Sequence, residues 1–194
     1  MRSLILSLSL LVSFSATAAV YVLDAGAKSM VRLDVQHGSI EAKVPLPFID
    51  DPTEIVATPD GKRLVVLSRT SAAIVDTATF SVSPRMSCAG DQFDVVSNDV
   101  GVVFRKGLRY TNPRVSFVSL DSFNVITTVD LTGKAAELVN VPGSGYIYAI
   151  ESNAVDVISI ADRKLVATMS VGNNAKLGGV DEETRSLYVI ASDD

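Results

Sequence analysis

A short strand-like segment recurs along the chain at a nearly fixed interval: VYVLD (20–24), LVVLS (64–68), VVF (102–104), IYAIES (147–152) and LYVIAS (187–192). With Tyr21, Val65, Val103, Tyr148 and Tyr188 taken as equivalent, the steps are 44, 38, 45 and 40 residues, about 42 on average. A period of this size constrains the fold more than any other feature. Each copy must be one supersecondary unit that buries its apolar side only against a neighbouring copy.

A second strand follows each of the first four segments: MVRLD (30–34), AAIVD (72–76), VSFVSL (115–120) and VDVISI (155–160). A third, with every second residue apolar, is clearest in SIEAKVPL (39–46), NVITTVDL (124–131) and KLVATMSV (164–171), the period-two pattern of a half-buried strand. A fourth, TEIVAT (53–58), FDVVS (93–97) or ELVNV (137–141), leads into the next copy. The clearest turn is Pro59-Asp60-Gly61-Lys62: Pro presets φ, Asp hydrogen-bonds the turn, and Gly takes the positive φ that a side chain resists. Four antiparallel strands per repeat of about 42 residues predict an all-β fold, a β-propeller of about four blades.

The runs PDGKRLVVLS (59–68), AAIVDTATF (72–80), VDVISIADRKLVATMSVG (155–172) and SLYVIAS (186–192) resemble the YVTN family of β-propeller repeats. The resemblance covers nearly all of the chain after the leader, and is closest in the second and fourth copies. It implies a propeller, in a family that is typically exported or on the cell surface, commonly seven-bladed, and related in architecture to lactonase-like and haem- or quinone-associated propellers. The third copy departs from the pattern, with Ser97-Asn98-Asp99 in place of the Pro-Asp-Gly-Lys turn, and the second copy is irregular around Pro84 to Cys88. The absence of Trp rules against WD40 and tryptophan-docked quinoprotein repeats.

Four copies and an extra strand leave two arrangements. Leu187 to Ser192 could close a small ring beside the first blade; four blades is the lower limit for closure. Otherwise the repeats form an open arc, natural or cut from a longer propeller, as expected if the chain stops after a blade-opening strand. An arc exposes an apolar blade face and an unpaired edge, and so predicts a homodimer.

The first residues carry a different signal. Arg2 is a positive n-region, Leu4 to Phe14 an apolar stretch, and Ala16-Thr17-Ala18 a cleavage motif, so residues 1–18 are expected to be a signal peptide and 19–194 the propeller domain. The stretch is shorter than the roughly 20 residues a membrane span needs, and export to the periplasm or outside the cell follows. Lys and Arg total 17 against 22 Asp and Glu. With Arg2 removed the balance is about −6, which argues against nucleic acid as a partner, because that needs a basic footprint. Cys88 is the only cysteine, so no intrachain disulfide forms and packing must carry stability.

Candidate chemistry is sparse. His37, the only histidine, lies in Gln36-His37-Gly38 and reads as an exposed turn residue without catalytic partners. Cys88, beside Met86 and Ala89, reads as a small buried residue or a reactive thiol. Asp50-Asp51, Asp181-Glu182-Glu183 and Asp193-Asp194 offer oxygens for a hard cation but lack a calcium-loop pattern, and read as solvated turns. Pro142-Gly143-Ser144-Gly145-Tyr146 misses the nucleophile-elbow spacing and reads as a hairpin turn. Gly172, Gly178 and Gly179 read as flanking strands rather than as a phosphate loop. No catalytic, cofactor-binding or metal-binding residue is assigned and no cofactor is expected. The expectation is a non-enzymatic binding or scaffold module for a protein or small molecule; the alternatives are a lactonase-like or dehydrogenase-type enzyme and a fragment of a longer propeller.

Overall fold

In the computed structural model, which describes residues 19–107, 112–134 and 137–192, every regular element is a β-strand. The expected leader lies outside the described residues, as do Asp193 and Asp194. Among the described residues no helix is long and apolar enough to cross a membrane. The chain forms two compact units, one running through Ala89 and including Ser97–Asp99, the other comprising Gly90–Val96 and the chain from Val100 onward.

In the first unit, β1 (Val20–Asp24), β2 (Ser29–Asp34) and β3 (Ser39–Pro45) form a three-stranded antiparallel sheet. Four strands follow in a second sheet: β4 (Glu54–Ala57), β5 (Arg63–Leu67), β6 (Ser71–Asp76) and β7 (Met86–Ser87). The irregularity expected near Pro84 is real: β7 has only two residues, and Val75 and Val82 make an isolated bridge, as expected where Pro withdraws a ladder donor. The turn Ser97–Asp99 goes with this unit because Asp60 N donates to Asn98 Oδ1 at 3.0 Å and Arg63 pairs with Asp99 at 2.7 Å.

The second unit holds β8 (Gln92–Val95), β9 (Val100–Arg105), β10 (Arg114–Ser119) and β11 (Val125–Asp130) in one four-stranded sheet. Another contains β12 (Glu137–Asn140), β13 (Tyr146–Ile150), β14 (Ala154–Ser159) and β15 (Lys164–Ser170). The last, β16 (Asn173–Asp181) and β17 (Ser186–Ser192), has two strands. Strands adjacent in sequence pair within each sheet, so the β11–β12 and β15–β16 connections each leave one sheet's last strand for the first strand of the next. Gly178 and Gly179 fall inside β16 rather than beside it, at a register shift between Leu177 and Gly179. A glycine pair carries no apolar alternation, so the period-two signal failed there.

The turn chemistry repeats with the strands. Asp34 Oδ1 accepts from Gln36 N and His37 N, and Asp76 Oδ1 from Ala78 N and Thr79 N. Ser119 Oγ accepts from Asp121 N, and Ser159 Oγ from Asp162 N. Four residues beyond each turn-opening residue the chain is left-handed, at Gly38 (φ 62°), Phe80 (57°), Phe123 (54°) and Arg163 (54°). Three of the four are not glycine, and each carries local strain. Arg163→Gly is therefore expected to stabilise the protein by about 0.5–1 kcal/mol, read as a higher urea midpoint; a lower midpoint would mean that packing by the Arg163 stem outweighs the strain. In the turn before β5, Gly61 has φ 67°, and Thr58 Oγ1 donates to Asp60 Oδ1 at 2.7 Å.

The core lies between stacked sheets. In the first unit Met30, Val44, Leu46 and Ile49 pack on Leu64, Val66, Ala73 and Val75. In the second, Val102, Phe104, Val115 and Phe117 meet Leu138, Ile147, Ala149 and Ile158. This corrects the repeat register. Val102, not Val103, corresponds to Tyr148, because Val102 and Phe104 face the following sheet as Tyr148 and Ile150 do. The run Val102-Val103-Phe104 is apolar on both faces, so its sequence could not say which residue faces which way.

Candidate functional site

Two places in the second unit stand apart from ordinary packing. The first is the outer face of β16–β17. Alternation puts Ala175, Leu177, Leu187 and Val189 against Val139, Val141 and Ile150 of the preceding sheet. The same alternation turns Tyr188 and Ile190 outward, 56% and 58% exposed, whereas the shift at Gly178-Gly179 puts Val180 opposite Leu187, on the packed side of the sheet. In β13 the residue equivalent to Tyr188 is Tyr148, which packs with the β16–β17 sheet. β13 is also paired on both edges, by β12 and β14, whereas β17 is paired only by β16 among the described residues. So β17 repeats the sequence of a covered, doubly paired strand, but among the described residues its outer face is exposed and β16 is its one ladder partner.

The second is a pair of buried acids. Glu151, just past β13, and Asp156, within β14, are 4% and 0% exposed. Asp156 sits three residues before the turn-opening Ser159; the matching positions hold Val31, Ala73 and Ser116. A carboxylate there must be paid for by hydrogen bonds, and they are present. Thr132 N donates to Asp156 Oδ2 at 2.9 Å, Thr132 Oγ1 to Oδ1 at 3.0 Å, and Thr168 Oγ1 to Oδ1 at 2.5 Å. Gly133 N donates to Glu151 Oε1 at 2.8 Å. A Cβ on Gly133 would overlap Glu151 Oε2, so a larger residue there would displace the Glu151 carboxyl. Burial, and then the Asp156 charge, push the Glu151 carboxyl above its ordinary range. This pair was missed from sequence, although a charge in the apolar run of VDVISI was a legible signal.

The candidates taken from sequence do not converge. His37 is exposed in its turn, as expected, but it has a partner: Nδ1 lies 2.6 Å from Asp34 Oδ2. Cys88 is buried, and burial pushes its thiol up to about 11, so at neutral pH it is no thiolate nucleophile. Asp50 pairs with Lys28 at 2.7 Å, and Asp181 accepts from Glu183 N and Thr184 N, so both serve turns. Pro142 to Tyr146 is the hairpin turn between β12 and β13, with Gly143 and Gly145 at φ 72° and 81°.

The edge strands β8 and β12 adjoin each other. Gln92 Nε2 donates to Leu138 O at 2.6 Å while Leu138 N donates to Gln92 Oε1 at 3.0 Å, so one side-chain amide extends the backbone ladder from sheet to sheet. Two residues along, Asp94 hydrogen-bonds Asn140, and burial raises its carboxyl despite that bond and one from Val95 N.

No protein family model and no curated protein matches the chain. Solved structures do. The hydrazine synthase of Kuenenia stuttgartiensis superposes with a TM-score of 0.62 at 16% identity, over 82% of this chain and 47% of that one. The dihydro-heme d1 dehydrogenase NirN gives 0.63 at 10%, over 84% and 37%. The beta-propeller domain of Cps50 (Swd1) from Myceliophteria thermophila gives 0.63 at 11%, over 89% and 58%. At these identities the likeness establishes the fold, a β-propeller of four-stranded antiparallel sheets. The chain spans 37% to 58% of the length of these structures.

Proposed function

We propose that this chain is an exported, YVTN-type propeller that acts as a non-enzymatic binding or scaffold module and associates with a second copy of itself through the outer face of β16–β17. The observation that carries the reading is that Tyr188 and Ile190 are exposed on a strand pair whose counterpart in the preceding sheet is covered and paired on both sides. What covers such a face elsewhere in the molecule is another repeat of the same chain, with aliphatic residues at every second position. The occupant of matching chemistry is therefore a repeat from another copy. The leader pattern in residues 1–18 supports export, and the runs PDGKRLVVLS (59–68), AAIVDTATF (72–80) and VDVISIADRKLVATMSVG (155–172) support the family resemblance.

Light scattering after size exclusion on residues 19–194 tests the association. The expected result is at least twice the monomer mass at micromolar concentration, reverting to monomer in the double variant Tyr188→Glu, Ile190→Lys with its β circular dichroism intact. A wild-type monomer at that concentration overturns the association, and an associating double variant moves it to another face.

The enzyme reading has one observation in its favour: Asp94 and Asn140 lie on adjacent edge strands of two sheets, with the Asp94 carboxyl raised. Catalysis at that point would show as loss of a lactonase or dehydrogenase activity in Asp94→Asn.

A further inference from the structure

We propose that Glu151, buried beside Asp156, forms with it a pH-sensitive latch that fastens the β11–β12 connection to the end of the β13–β14 hairpin. Counting donors leads there. Asp156 already accepts from Thr132 N, Thr132 Oγ1 and Thr168 Oγ1, and Glu151 accepts from Gly133 N. The two acids are 4% and 0% exposed and bond to the adjacent residues Gly133 and Thr132, so they share one buried setting in which two carboxylates would repel and neither has a proton to donate. With Asp156 occupied as an acceptor on both oxygens, the proton belongs on Glu151. The pair is closed over by Thr132, which is exposed, and Gly133, so the buried acids hold down a segment at the surface.

Among the described residues the surroundings are largely apolar or neutral. The neighbouring sheet presents Val102, Phe104, Val115 and Phe117 on the packed face. Arg105, Arg114 and Asp130 lie at the same end of β9, β10 and β11, but alternation puts them on that sheet's opposite face. On the hairpin Ser152 and Asn153 are neutral, and from β15 the contact is Thr168. Lys134 follows Gly133 and is exposed. No described salt bridge reaches either acid.

A Glu whose folded-state pKa is raised stabilises the fold fully below its unfolded value, and that contribution is lost as pH rises through the folded value. Deprotonation leaves two negative charges in one buried setting, and the latch is released on the alkaline side.

Glu151→Gln tests this, because its amide still accepts from Gly133 but cannot titrate. Amide exchange of Thr132 and Gly133, corrected for intrinsic rates, is the readout. In the wild type the protection of these two amides is expected to fall about tenfold or more between pH 5 and pH 8, while in Glu151→Gln it stays level. Level protection in both proteins overturns the latch, as does an equal fall in both. Amides of β13, followed in the same samples, report whether each variant is folded.

Discussion

Phe104→Ala is expected to lower stability by about 3–5 kcal/mol in urea denaturation. Phe104 is fully buried between two sheets, among Val115, Phe117, Ile147 and Ile158. Removing its ring forfeits the transfer energy of a large side chain and leaves a cavity whose walls come from two separate ladders. Each ladder is fixed by its backbone hydrogen bonds, so neither can move far enough to fill the space. For a domain whose whole stability is about 5–15 kcal/mol, this one change removes a large part. Val125, 60% exposed on β11, is the control, and Val125→Ala should stay within about 0.5 kcal/mol of wild type. Similar losses for the two would mean that the inter-sheet core does not carry the fold.

Asp156→Ala is expected to cost about 2–4 kcal/mol. The loss is not that of one hydrogen bond. Thr132 N, Thr132 Oγ1 and Thr168 Oγ1 lose their acceptor together. Thr168→Val removes a single donor at the exposed edge and should cost about 0.5–1.5 kcal/mol. An Asp156→Ala loss no larger than that of Thr168→Val would mean that the network contributes no more than its weakest bond.

Much of the fold was legible because the propeller writes the same strand again and again. Four strand types, the Gly61 turn and the irregular stretch near Pro84 could all be read from alternation and turn residues. Where alternation failed, so did the reading: the run Val102-Val103-Phe104 was placed one residue off, and β16 was hidden by Gly178-Gly179. The site was less legible. Glu151 and Asp156 are five residues apart, but Thr132, Gly133 and Thr168 reach them only through hairpin and inter-sheet geometry, which no local spacing encodes. The sequence did suggest an exposed blade face. Its identification with Tyr188 and Ile190 required knowing which side of β17 packs on Val139 and Ile150.

Amide exchange along β17 in residues 19–194, followed from nanomolar to high micromolar protein, tests association through the outer face of β16–β17 most directly. The account predicts that alternate β17 amides, those on the edge away from β16, exchange freely in dilute solution and gain protection as a second copy docks. Exchange along β17 that does not change with concentration would contradict it.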